Sequence, residues 1–234
     1  MIFIPLASSS NGNAYLVTDG NTTLLLECGL PFRKLQKLIG FRITDVNACL
    51  ISHEHKDHSK CFLDIIKSGI PVYASRGTAD VLVCNLMQPL EDRKEVAIGT
   101  FDVLPFATFH DSAEPLGFLI RSRVDGEKLA FVIDTVNIAY QFPGLSIMAI
   151  ECNHMEEILG RSTSLPDKVK RRITNSHMEV GRTCAYLKQL DKHCLRAVYL
   201  MHLSDRSADA GLFQDLAERS CPGVQVTICP KERT

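Results

Sequence analysis

The sequence predicts an α/β fold, and three observations carry that prediction. Apolar runs of strand length alternate with helix-like stretches along all 234 residues. Short polar or glycine-bearing turns separate them. No linker, low-complexity tract or internal repeat breaks the alternation, so residues 1–234 are expected to form a single domain with a sizeable core.

The elements follow in order. Met1 to Leu6 reads as a strand, and its apolar start without a basic leader is read as that strand rather than as a targeting segment. Ala7 to Asn13 is a loop of small polar residues that can offer backbone N–H groups to a phosphate, or be a plain surface turn. Ala14–Thr18 and Thr22–Leu26 form a hairpin around Asp19-Gly20-Asn21. Glu27-Cys28-Gly29 closes the third strand, and Pro31 opens a helix to Leu38. Ala48 to Ile51 is a short buried strand. Lys60–Lys67 and Thr78–Met87 are predicted helices flanking a strand at Pro71–Ala74. Phe101 to Thr108 is a strand. Gly117–Ser122 and Lys128–Ile133 pair around Asp125-Gly126. A strand at Leu145–Ile150 precedes three helices, one holding Ile158 and Leu159, one opened by Pro166, one at Val180–Leu190. Leu195–Met201, a helix at Ala208–Arg219 and Val224–Ile228 complete the chain.

Composition bounds the function. Hydrophobic content of 45% and charged content of 23% are those of an ordinary globular protein. The net charge of −1 gives no global basic signal for nucleic acid, so any such signal is local. One local signal exists. Between Arg161 and Arg196 nine Lys or Arg stand against three acidic residues. Most charge runs are solvated helix faces, but this one lies between candidate site segments and suits phosphate contact. No apolar run approaches the length of a membrane span. Nine cysteines without a C-x-x-C pair suit reduced thiols and a cytoplasmic location.

The chemistry concentrates directly after the Ala48–Ile51 strand, in Ser52-His53-Glu54-His55-Lys56-Asp57-His58. Imidazole and carboxylate are the ligands of Zn, Mn and Fe. His53 and His55 are two apart and point the same way in extended backbone, so both can grip one metal. Asp57 and His58 follow where the loop turns and can face a second. Downstream, His110, Asp134 and His202 each fall at a strand end.

H-x-H-x-D-H after a strand resembles the signature of the metallo-β-lactamase superfamily. The resemblance implies an αββα sandwich, two mixed sheets flanked by helices, carrying two divalent metal ions (Zn, Mn or Fe). It implies His53, His55 and His110 on the first metal, Asp57, His58 and His202 on the second, and Asp134 bridging. Two such metals can clamp a phosphate and turn a bound water into the attacking hydroxide. Glu27 lies where many family members have Asp and would hold a ligand histidine.

Further segments look like the YycJ/WalJ group of that superfamily, more distantly related to RNase Z. These are Ala7 to Asn13, His110-Asp111, Glu151-Cys152-Asn153-His154, Lys170-Arg171-Arg172 with His177, and His202-Leu203-Ser204. The resemblance implies a 5′→3′ DNA exonuclease. His177 matches a late histidine of RNase Z and becomes the general acid; Glu151, His154 and Asp57 join it as catalytic candidates. Ser9, Ser10, Asn11, Asn153, Arg171 and Arg172 are candidates for substrate binding.

Three alternatives stay open. The same metals would serve a cyclic-nucleotide phosphodiesterase, as in phage-encoded relatives, or a thioester or lactone hydrolase; a protein using the metals structurally is the weakest reading. The expected partner is DNA or a nucleotide, with no membrane, and a homodimer is compatible with the sequence. The cytoplasm would be that of a bacterium, or of a host cell if the chain is phage-encoded.

Overall fold

The computed structural model describes residues 1–233. They form two mixed sheets, of six and seven strands, flanked by helices, as the resemblance implies. Internal contacts divide the chain into two compact units: Met1–Ala107 with Ser112–Lys128 and the chain from Pro230, and Thr108–Asp111 with Leu129–Cys229.

In the first unit, β1 (Ile2–Ala7), β2 (Ala14–Thr18) and β3 (Thr23–Leu26) run antiparallel, with Phe3 opposite Val17 and Tyr15 opposite Leu26. From β3 the sheet turns parallel through β4 (Ala48–Leu50), β5 (Val72–Ser75) and β6 (Gln88–Leu90). The parallel connections carry α1 (Phe32–Leu38), then α2 (Lys56–Ser59) and α3 (Phe62–Lys67), then α4 (Arg76–Val81). All three residues of β4 are buried, as a central parallel strand requires. Leu35 of α1 and Ile65 of α3 lock onto Leu25, Cys49, Ile51 and Val72 in one apolar cluster. Each such fully buried side chain stabilises the unit by about 1.5–3 kcal/mol. The unit also contains an antiparallel ladder of β7 (Val96–Ile98), β8 (Phe101–Ala107) and β9 (Leu116–Ser122), in register from Phe101↔Ser122 to Ala107↔Leu116.

In the second unit, β10 (Lys128–Val132), β11 (Ile147–Glu151), β12 (Ala197–Met201) and β13 (Gln225–Ile228) are all parallel, with Val132, Ile150, Leu200 and Ile228 level across the sheet. The helices α5 (Glu156–Arg161), α6 (Asp167–Ser176), α7 (Val180–Gln189) and α8 (Ala210–Ser220) complete it. The carboxyl ends of β10, β11 and β12 therefore lie side by side, and parallel sheets place their sites at that edge.

The predicted elements need three corrections. Asp57 and His58 sit in α2 rather than in an open loop, because the N–H groups of His58 and Ser59 both close on the carbonyl of His55. The helix expected to reach Met87 stops at Val81, and Val83 then takes a left-handed backbone, φ 52°. The strands β6 and β7 were not predicted. Each has a single strand partner, and β6 carries Pro89, which removes a ladder donor and is tolerated at such an edge. Among the described residues, no helix is long and apolar enough to cross a membrane.

Candidate metal centre

The first unit gathers the H-x-H-x-D-H side chains past the end of β4. His53 is 1% exposed; its Nδ1 lies 2.8 Å from Ser52 Oγ and its Nε2 3.0 Å from His55 Nδ1. The His53 and His58 rings are 4.2 Å apart between centroids. His58 Nε2 lies 3.3 Å from Asp57 Oδ2, while its Nδ1 faces Glu27 Oε2 at 3.4 Å. Three imidazoles and two carboxylates thus pack into one small region.

Glu27, at the carboxyl end of β3, organises this region. It is fully buried in a left-handed backbone, φ 65°, a conformation costly for a residue with a Cβ and often retained at functional sites. Its Oε1 accepts the Ser52 N–H at 3.1 Å. Burial pushes its carboxyl pKa up, against the opposing pull of His58 and the Ser52 hydrogen bonds.

The loop before β2 is tied to the same region. Asn13 donates from both its backbone N–H and its side-chain Nδ2 to the carbonyl of Asp57, at 2.8 and 3.2 Å, and its Nδ2 also reaches His58 Nε2 at 3.3 Å. A Cβ at Gly29 would fall 1.7 Å from that same carbonyl, so only glycine lets the two loops approach. Ser9 is 3% exposed, and its hydroxyl accepts the Asn11 N–H. Ser10 and Asn11 are exposed. Asn13, Gly29 and Ser52 are contributors that sequence reasoning did not single out as site residues.

The second unit makes its own group at the carboxyl ends of its parallel strands. Asp134 follows β10, Glu151 ends β11 and His202 follows β12. Asp134 and His202 both have left-handed backbones, φ 46° and 55°. Asp134 Oδ2 lies 3.5 Å from His110 Nε2, and its Oδ1 lies 3.6 Å from His202 Nε2. Donor atoms of Asp134, Glu151, His177 and His202 all lie within 4.8 Å of one another. His110 Nδ1 donates to the carbonyl of Ser176 at 2.8 Å. A carbonyl can only accept, so Nδ1 carries a proton, and Nε2 is the nitrogen turned toward Asp134.

His177 caps the C-terminus of α6, and its Nδ1 donates to Glu151 Oε1 at 2.6 Å. Glu151 Oε2 accepts the N–H groups of Thr135 and Met178. Burial alone would lower the His177 pKa, but the Glu151 and Asp134 carboxylates outweigh it and raise it to about 9. His154 behaves oppositely. It is wholly buried, neither ring nitrogen has a hydrogen-bond partner, and burial, aided by the charges of His177 and Arg182, lowers its pKa to about 4. Asn153 uses its Nδ2 to hold the carbonyl of His202 at 2.8 Å. Arg171 is exposed, and Arg172 pairs with Asp111 at 2.7 Å.

These donors suit a divalent cation. Two imidazole nitrogens face a buried carboxylate at separations beyond a hydrogen bond, and a buried carboxylate calls for a compensating positive charge. The donor types are those of Zn, Mn and Fe.

Residues 22–203 match the beta-lactamase superfamily domain. The exodeoxyribonuclease YycJ of Bacillus anthracis is 31% identical over 227 residues, covering 86% of this chain and 82% of that protein. The exodeoxyribonuclease WalJ of Streptococcus pneumoniae is 28% identical over 218 residues, covering 85% and 80%. The metallo-beta-lactamase fold protein YhfI of Bacillus subtilis superposes with a TM-score of 0.72 at 15% identity, covering 99% and 97%. Two mixed sheets with imidazole and carboxylate at their strand ends define a metal-dependent hydrolase. The chain belongs to the beta-lactamase superfamily, in its YycJ/WalJ-like group.

Proposed function

We propose that the chain is a dinuclear metal-dependent phosphodiesterase that degrades DNA from a 5′ end, working as one domain in the cytoplasm. His53, His55 and His110 would hold one ion and Asp57, His58 and His202 the other, with Asp134 as a ligand available to both. The observation that carries the reading is the His177–Glu151 pair at the end of the basic helix α6. A thioester or lactone hydrolase would leave the His177–Glu151 pair and the basic run incidental, whereas a nucleic-acid phosphodiesterase can use both. The names of the YycJ and WalJ relatives support the same substrate class.

When bound, the ions would supply Lewis-acid stabilisation of the phosphoryl oxygens and an activated water. The chain does the rest. Glu151 holds the Nδ1–H of His177 and stabilises its protonated form, leaving Nε2–H to protonate the departing oxygen. Glu27 and Asn13 keep the His58 and Asp57 groups in place, and Asn153 does the same for the backbone of His202. Arg171, Arg172, Ser10 and Asn11 are left for the sugar-phosphate backbone. Asp57 contributes as a ligand. Ser9 and His154 act from buried positions, Ser9 by shaping its loop and His154 as a neutral group behind His177.

The test is an end-labelled DNA duplex incubated with Mn- or Zn-loaded protein beside His110→Ala. Progressive release of 5′ mononucleotides, absent in the variant, is expected. Absence of cleavage of duplex and single strand with both metals bound would overturn the reading, and turnover of a cyclic nucleotide instead would redirect it to a small phosphodiester.

A further inference from the structure

Helix α6 is attached to its unit in an unusual way. Of its ten residues only Ser176 is buried, and Val169 is 39% exposed, so apolar packing does little to hold it. Its ties are polar and, apart from the bond that Lys170 Nζ donates to the Gly160 carbonyl at 3.1 Å, gather on one turn. Arg172 Nε donates to Asp111 Oδ2 at 2.7 Å, and the Ser176 carbonyl, one turn further on, accepts His110 Nδ1 at 2.8 Å. The two helix residues are joined to each other, because Ser176 Oγ donates to the Arg172 carbonyl at 2.7 Å. Asp111 closes the circuit, its Oδ1 lying 3.4 Å from His110 Nε2. Two residues four apart on a helix share a face, so this turn grips His110 and Asp111 together.

We propose that this bracket couples phosphate binding to metal binding, with Asp111 as the positioning residue; the inference rests on the nuclease reading above. A guanidinium has five N–H donors in a fixed fork. Asp111 engages the Nε side, and the side chain of Arg172 is 59% exposed, which leaves its outer edge to receive a DNA phosphate in bidentate fashion. A phosphate held there while Asp111 holds the other side pins α6 in place. The Ser176 carbonyl then holds Nδ1–H of His110, and Nε2 keeps its aim. DNA and metal therefore raise each other's affinity, as reciprocal linkage demands. Lys168 and Arg171, which take no part in the bracket, attract DNA without contributing to the coupling.

The experiment measures Mn²⁺ affinity against a competing chromophoric chelator, with and without a cleavage-resistant phosphorothioate oligonucleotide, while DNA binding is followed separately by fluorescence anisotropy. The wild type is expected to bind Mn²⁺ about tenfold more tightly when DNA is present, within the usual range of coupling. Arg172→Ala and Asp111→Asn should abolish that gain. Arg172→Lys should also abolish it while retaining most DNA affinity, since a point charge cannot serve Asp111 and a phosphate together. Lys168→Ala should weaken DNA binding and keep the gain. Coupling that survives in Arg172→Ala and Asp111→Asn, or a wild type that binds DNA with unchanged Mn²⁺ affinity, would overturn the inference alone. A wild type that binds no DNA would overturn the nuclease reading and the inference with it. The substituted side chains are exposed, and melting curves of the variants would establish that they fold.

Discussion

His177 and Glu151 are joined by a 2.6 Å hydrogen bond although they lie 26 positions apart, one capping a helix and the other ending a buried strand. The carboxylate also accepts two backbone N–H groups, from Thr135 and Met178. It is therefore fixed before substrate arrives, and the imidazole is oriented through it. Removing the proposed proton donor by His177→Ala should lower kcat about 10²–10⁴-fold with a smaller effect on KM. Glu151→Gln keeps the shape and loses the charge; its rate should fall as well, with the alkaline limb of the pH profile moved to lower pH. An unchanged kcat in His177→Ala would remove the residue from the reaction.

The same pair makes a stability prediction for the metal-free protein. His177 titrates near its ordinary value of 6.5 when unfolded and at about 9 when folded. A raised folded pKa contributes stability that is complete below pH 6.5 and lost as pH climbs through 9. Melting temperatures across that window should fall more steeply for the wild type than for Glu151→Gln. Parallel curves would show that the ion pair contributes nothing.

Glu27 faces His58 and Asn13 bonds the Asp57 carbonyl, so both support the proposed ligands without being ligands themselves. Residues in that position typically contribute about 10–100-fold to metal affinity. Glu27→Gln and Asn13→Ala should each weaken metal binding by that order, measured by competition with a chelator, with little change in the secondary structure seen by circular dichroism. Full affinity in both variants would deny the supporting role.

Gly29 should tolerate no side chain. The Asp57 carbonyl would lie 1.7 Å from the new Cβ, and that oxygen is also the acceptor of both Asn13 hydrogen bonds. Gly29→Ala must displace the Asp57–His58 turn, so loss of metal binding together with a lower melting temperature is expected. Gly160→Ala is the control for the added methyl alone: Gly160, like Gly29, has no positive φ, but nothing lies within 4 Å of its Cβ position. Equal effects of the two substitutions would refute the steric account.

Salt dependence tests the α6 surface. If Arg171 neutralises one phosphate, Arg171→Ala should reduce the slope of log K against log salt by about one and weaken binding evenly across sequences. An unaltered slope would place the DNA elsewhere.

Much of this protein is legible in its sequence because the information is local. Apolar periodicity marks β4, β11 and β12, and a polar residue directly after a buried strand stands out at Asp134 and His202. The H-x-H-x-D-H run needs only strand geometry to bring His53 and His55 to one side. The edge strands β6 and β7 escaped because they are three residues long and only partly buried, which leaves them little apolar pattern. The supporting contacts were illegible for a different reason. Asn13 meets His58 across 45 positions, and His110 meets the Ser176 carbonyl across 66. Neither partner carries a local sign of the other. A backbone carbonyl has no sequence signature, and a glycine shows its purpose only when another chain segment arrives against it. The sequence by itself determined the alternation of elements and the types of donor atom. The tertiary structure decided which ring nitrogen of His110 is held by the Ser176 carbonyl and which is turned toward Asp134, because that depends on the partners folding brings to the ring.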